Sequence, residues 1–234
     1  MKAKQLAYGI EEANCKYELR LARYVDFARR IHEERARKGS LKVLDAGCGL
    51  GRMIRYAGTE GLEWYGIDLN ADNLRVASRQ GPYVLRHGDL RKPLAYADEK
   101  FDVVILSHVL EHIEDPTNVI HNLRRAIKKG GMLLVGVPIF TAFTAWCRKY
   151  MVPVFDRIFQ IPRRSHVYYF TIPVLKKMLE RQGFEVGDVC GFRLFSASKV
   201  LTLENSYLFY RISAWWGRYF PNLTAEINCT ARLL

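Results

Sequence analysis

Two hydrophobic periodicities alternate along this chain. Short apolar runs are separated by stretches in which apolar positions recur every three to four residues, the pattern of strands interleaved with helices. Leu41–Asp45, Trp64–Asp68, Tyr83–Gly88, Phe101–Leu106 and Met132–Val137 read as strands. Phe101–Leu106 is apolar at almost every position, as expected of a strand covered on both faces. Arg52–Ala57, Ala71–Arg79 and Thr117–Lys128 read as helices. The last of these sets Val119, Ile120, Leu123 and Ile127 on one side. It gathers Arg124, Arg125, Lys128 and Lys129 at its C-terminal turns, where positive charge meets the negative end of the helix dipole. Gly130-Gly131 is its expected stop. This alternation predicts an α/β fold with a doubly wound, mainly parallel sheet.

The flanks add four pieces. Residues 11–38 place Tyr17, Leu21, Tyr24, Val25, Ala28 and Ile31 at helical spacing and stop at Gly39. Regularity breaks over 139–165, which mixes aromatic residues with Arg148, Lys149, Arg157, Arg163 and Arg164. This stretch is too apolar for disorder and too long for an ordinary connection. Thr171–Gln182 reads as a helix with Leu175, Met178 and Leu179 as its buried row, and Phe184–Val189 as a sixth strand. Ser196–Phe220 is mainly helical and strongly aromatic, and Ala225–Ala231 alternates as a last strand, expected to run antiparallel. The organisation expected is one domain over 1–234, with 139–165 and 196–220 inserted on the acceptor side.

A chain of 234 residues is large enough to build its core without disulfides or metals. Its 36 basic against 24 acidic residues give a net charge of +12, which favours anionic ligands or an anionic membrane surface. The charge is scattered, so it does not by itself mark a nucleic-acid partner. Five cysteines, odd in number and without a CxxC pair, read as reduced thiols and point to a cytoplasmic location, peripheral to a membrane at most. Neither end resembles a signal peptide, and no long uncharged apolar run suggests a spanning helix.

The candidate chemistry begins at Val43-Leu44-Asp45-Ala46-Gly47-Cys48-Gly49-Leu50-Gly51. Here a strand delivers an acid and then three glycines at alternate positions, letting the backbone turn sharply and approach a ligand closely. The next strand ends in Asp68, at a spacing that suits a carboxylate accepting from a ribose diol. Met53 and Ile54 stand where a pyrophosphate site wants another small residue, and Asp45 suits a positively charged ligand. A sulfonium nucleoside is therefore favoured, with a dinucleotide as the alternative. Cys48 reads as small filler.

These residues resemble a class I S-adenosylmethionine-dependent methyltransferase, of the small-molecule group similar to ubiquinone-type O-methyltransferases. The matching segments are Val43–Gly51, Tyr65–Asn70, Gly88-Asp89-Leu90, Phe101–Pro116, Leu123–Val137 and His166–Val186. The resemblance implies a Rossmann-like seven-stranded sheet of order 3-2-1-4-5-7-6 with strand 7 antiparallel, and S-adenosyl-L-methionine as cofactor. It implies that Gly47, Gly49 and Gly51 pass beneath the methionine portion, helped by Asp45. Asp68 would bind the ribose, Leu69 and Leu90 would pack by the adenine, Asp89 would accept from its amino group, and Ser107 would border the sulfonium. Tyr17 could reach the polar end of the cofactor.

Ser107–Pro116 directly follows the fourth strand and is the expected catalytic rim. A helical turn there would align His108 and His112 with Glu111 nearby, Glu111 either capping the loop or pairing with a base. His108, His112 and His166 are the candidate base or acceptor-orienting groups. Some ubiquinone-type relatives hold a divalent cation here with two glutamates and a histidine. His108 replaces the first glutamate, so no metal is expected. The reaction expected is methyl transfer to a small organic acceptor, hydrophobic or lipid-like in one reading, with oxygen the favoured atom. N-methylation and a non-catalytic module that binds a partner or membrane are the alternatives. A monomer and a homodimer both fit, and a nucleic-acid acceptor is disfavoured because Ser-His replaces an amino-group clamp.

Overall fold

The structure is a computed structural model and describes residues 22–94, 96, 100–139, 167–192 and 207–234. The strands are β1 (Leu41–Ala46), β2 (Leu62–Asp68), β3 (Tyr83–His87), β4 (Phe101–Ser107), β5 (Ile127–Pro138), β6 (Phe184–Phe192) and β7 (Glu226–Leu233). The helices are α1 (Ala22–Lys38), α2 (Met53–Ala57), α3 (Ala71–Ala77), α4 (Pro116–Ala126), α5 (Ile172–Arg181) and α6 (Tyr207–Tyr219). All seven strands join one sheet of order β3-β2-β1-β4-β5-β7-β6. β7 runs antiparallel to both neighbours, and the pairs from β3 to β5 are parallel. This is the topology the resemblance implies.

Strand alternation divides the buried side chains into two layers. Leu44, Ile67, Val104, Leu133 and Val135 face α4 and α5 through Val119, Ile120, Leu123, Leu175 and Leu179. Val43, Trp64, Val103, Ile105 and Leu134 face α1 and α2 through Phe27, Ala28, Ile31, Met53 and Ile54. Val103, Val104, Ile105 and Leu106 are all fully buried because both faces of β4 are covered, which is why its sequence is nearly continuous in apolar residues.

Some boundaries differ from the sequence pattern. The helix expected to run to Lys128 ends at Ala126, and β5 begins at Ile127, not at Met132. Ile127 takes an extended backbone (ψ 138°), pairs with Phe101 and is buried. The pairing then slips before resuming at Met132, with Gly130 at φ 71°. Lys128 is held there by both carboxylate oxygens of Asp102, 2.9 Å each. β6 continues past Val189 to Phe192, after a register shift opposite β7. Tyr17, His166, nearly all of 139–165 and the first part of 196–220 lie outside the described residues.

Candidate active site

The glycine segment leaves the C-terminal end of β1 and bends back toward β2. Gly47 and Cys48 both donate their N–H groups to the Ile67 carbonyl, at 2.7 and 3.1 Å, and Gly51 donates to Cys48 at 2.9 Å. Gly47, Gly49 and Gly51 have φ of 75°, 50° and 70°, the region in which glycine replaces strain with ordinary geometry. Asp68, at the tip of β2, fastens this loop: its Oδ2 accepts from the Gly49 N–H at 2.8 Å. Its Oδ1 accepts from the Asn70 N–H at 2.8 Å, and Asn70 in turn caps α3. Each carboxylate oxygen offers about two lone pairs, so Asp68 can order the loop and still accept from ribose hydroxyls. Leu69 follows, 59% exposed, a large apolar side chain standing beside the loop.

Asp45 lies buried beneath the loop, with Tyr83 donating its hydroxyl to Oδ2 at 3.3 Å. Burial pushes its pKa up to about 7, the Tyr83 bond opposes that rise, and the nearby Asp68 charge adds to it. A cationic ligand above this pair of acids would favour their ionised forms. Cys48 is buried, and the same burial pushes its thiol up, in keeping with a filler role.

Asp89 and Leu90 follow β3. Leu90 is buried in the core, and its carbonyl accepts from Asn122 at 3.0 Å. Asp89 grips Arg91, which donates through Nε at 2.9 and 3.0 Å and through Nη2 at 2.7 Å. That guanidinium holds the carboxyl well down, at about 2. Asp89 thus starts as the partner of Arg91, and an adenine amino group would share it.

The rim after β4 is organised around one unusual residue. Ser107 ends the strand with its Oγ buried and without a hydrogen-bond partner. His108 has φ 54°, the one non-glycine residue with positive φ among those described. The expected helical face from His108 to His112 is not formed. The chain turns left-handed at His108, and Leu110–His112 is a single 3-10 turn. Both histidines nonetheless converge on Glu111, which is fully buried. Its Oε1 lies 3.1 Å from His108 Nδ1 and 3.9 Å from His112 Nε2, contacts at ion-pair distance that are not aligned as hydrogen bonds.

The other side of the His108 ring meets two residues the sequence pattern did not flag. His108 Nε2 lies 3.1 Å from Glu226 Oε2, and Arg23 Nη1 donates to the same oxygen at 3.2 Å. Glu226 opens β7 and Arg23 sits at the start of α1, so neither neighbours His108 in sequence. With His108 protonated, Arg23 and His108 balance Glu111 and Glu226; without that proton the buried group carries a net negative charge. Burial lowers the pKa of the ring, but Glu111 and Glu226 outweigh it and leave it raised. His112, 43% exposed at its side chain, is the outward member of the group.

The residues present fit a sulfonium nucleoside. A Cβ built on Gly49 meets nothing within 4 Å, so open space lies above the loop, and the orphaned Ser107 hydroxyl sits at the same sheet edge. A groove of about 850 Å³ lies at the opposite edge among Lys38, Lys42, Glu63, Trp64, Asp102 and Lys128. Its lysines are spent on Asp102 and Glu63, and none of the candidate chemistry is there. Among the described residues no group of three or more His, Cys, Asp or Glu could hold a metal ion.

Comparison with known proteins points the same way. The family model described as a methyltransferase domain matches residues 16–189. The ubiquinone biosynthesis O-methyltransferase of Thiobacillus denitrificans is 30% identical over 182 residues, 74% of this chain and 76% of that protein. The demethylmenaquinone methyltransferase of Staphylococcus aureus is 28% identical over 169 residues, 63% of this chain and 69% of that protein. Among solved structures, the magnesium protoporphyrin IX methyltransferase of Synechocystis with bound SAH superposes with a TM-score of 0.59 at 18% identity, covering 93% of this chain and 86% of that one.

Proposed function

We propose, from the premise that this chain belongs to the class I S-adenosylmethionine-dependent methyltransferases, that it methylates an oxygen of a small organic acceptor beside His108. Family membership sets aside the dinucleotide reading of the glycine loop. It also makes a non-catalytic module the weaker alternative. The observation that carries the oxygen reading is the His108 group, a partly buried imidazole with a buried carboxylate 3.1 Å from each ring nitrogen, just past the end of β4.

The cofactor supplies a methyl group made electrophilic by a sulfonium. The glycine loop, Asp68 and Leu69 would hold it, with Asp45 beneath as the counter-charge and Ser107 at the rim. The remaining work is to bring an acceptor oxygen into line and dispose of its proton. Glu111 and Glu226 favour the protonated ring of His108, which makes it a poor acceptor for that proton. It is suited to orient an acceptor oxygen and favour its ionised form through positive charge. His112, outward and near Glu111, would exchange the proton with solvent. His166 stands as a further candidate from sequence alone. The ubiquinone biosynthesis O-methyltransferase among the relatives supports oxygen over nitrogen as the accepting atom.

The test is incubation with methyl-labelled S-adenosylmethionine and fractionated cell extract, followed by mass determination of the labelled product. An O-methylated small molecule is expected. Label recovered on nitrogen, or only on protein or RNA, overturns the reading. His108→Gln is expected to lower kcat by about a hundredfold or more. Full activity in both His108→Gln and His112→Gln would leave proximity alone as the catalytic device.

A further inference from the structure

We infer that the outer face of α6 docks this protein on the surface of an anionic phospholipid bilayer. α6 lies against the sheet edge at β6, and its inner side is made of small or buried groups. Ser213 is fully buried, and Gly217 packs so closely that a Cβ there would collide with the Gly191 backbone. That contact fixes the rotation of the helix, so the opposite side is presented outward.

The outward side carries Ile212, Trp215 and Tyr219, 47%, 58% and 62% exposed, at the three- and four-residue spacing of one helical face. Trp215 and Tyr219 lie against each other with ring centroids 5.4 Å apart. Phe220 and Leu223 extend the apolar surface beyond the helix, 45% and 56% exposed. Arg211 and Arg218, both exposed, lie on the same face as Trp215. Residues 207–223 contain no Asp or Glu.

Aromatic side chains flanked by arginines are the composition of a helix that lies in a membrane interface, rings among the acyl boundary and guanidiniums among phosphates. The net charge of +12 has the sign that such a surface attracts. A two-fold contact between copies would set this face against itself, bringing Arg211 and Arg218 together with no acid to answer them. A bilayer is therefore the better occupant. No helix among the described residues is long and apolar enough to cross a membrane, so the contact is peripheral. α6 leads through Pro221–Leu223 directly into Glu226, so docking would hold the His108 edge near the bilayer and near acceptors dissolved in it.

The full chain is sedimented with vesicles of phosphatidylcholine alone and of phosphatidylcholine mixed with phosphatidylglycerol. Pelleting is expected with the anionic vesicles only, weakening as salt is raised. Arg211→Gln with Arg218→Gln should lower partitioning roughly thirtyfold, and Trp215→Ser with Tyr219→Ser by about tenfold or more. Absence of binding to anionic vesicles, or unchanged binding by both pairs of variants, overturns the inference. So does a wild-type dimer in gel filtration that Trp215→Ser with Tyr219→Ser makes monomeric. Calorimetry with S-adenosylhomocysteine, without vesicles, should be unchanged in these variants. A loss there would count against the fold or the methyltransferase reading and not against docking.

Discussion

Gly47, Gly49 and Gly51 look alike in the sequence and do different work in the structure. A Cβ on Gly47 would come within 2.4 Å of Val109, and one on Gly51 within 3.0 Å of the Ala77 backbone, whereas one on Gly49 meets open space. Gly49→Ala should therefore fold, at a cost of about 1 kcal/mol for its left-handed backbone, yet bind S-adenosylmethionine at least tenfold more weakly. Gly47→Ala should lose clearly more stability than Gly49→Ala, as read by urea unfolding. Normal cofactor affinity in Gly49→Ala would show that the loop is not the cradle. Asp45 makes a second residue-scale prediction, from a pKa raised to about 7 by burial. Below about pH 4 its carboxyl is protonated folded or unfolded. Between about pH 4 and 7 only the unfolded chain releases the proton, so stability falls as pH rises, and the full penalty stands above that window. Asp45→Asn removes this slope; in ligand-free thermal melts it should gain on the wild type from about pH 5 to about pH 8, by at most about 4 kcal/mol. An equal pH slope in both proteins refutes the assignment. The glycine turn, Asp45 and Asp68 were legible as neighbours because they close two apolar strand runs in succession. Arg23 and Glu226 were not, since they meet across 203 residues and each is an ordinary charged residue in its own segment.

At the scale of elements, α1 is fixed to the sheet by polar side chains as well as by Phe27 and Ile31. Asp26 accepts from Arg30 Nε at 3.0 Å and from the Asn228 amide on β7 at 2.9 Å. Arg30 also donates to Thr230 at 2.5 Å, and both Asp26 and Arg30 are buried. Removing one member of a buried pair strands the other, so Asp26→Ala should cost roughly 3–5 kcal/mol. Glu33→Ala, which ends only an exposed pair with Arg29, should cost less than about 1 kcal/mol. Urea unfolding of the two variants checks the contrast, and near-equal losses would mean that hydrophobic packing alone holds α1. Because α1 also carries Arg23, loosening it should lower activity along with stability. The strands of this layer were readable from their apolar runs, and α4 from its period. The start of β5 was not, because Lys128, Lys129 and the two glycines look like a helix end followed by a turn, while Ile127 pairs with Phe101 through contacts no local pattern reports.

For the molecule as a whole, chain order explains how so distributed a site comes together. β7 inserts between β5 and β6 and runs against them, so its first residue, Glu226, reaches the edge where β4 delivers His108. Apolar periodicity does not say which strands are neighbours; the order was foreseen through the resemblance, not through the pattern. The cofactor should bridge the ends of β1, β2 and β4, contacting groups that belong to separate elements and are brought together only in the folded state. Binding of that kind is linked to folding. A ligand present at about a hundred times its Kd adds about 2.7 kcal/mol of stability. In a chain of 234 residues each kcal/mol moves Tm by about 2–4 °C, so S-adenosylhomocysteine should raise Tm by roughly 5–10 °C. Asp68→Ala, which unfastens the Gly49 loop and removes the ribose acceptor together, should abolish the rise. If the wild type melts cooperatively at the same temperature with and without either form of the cofactor, the three strand ends do not constitute its site.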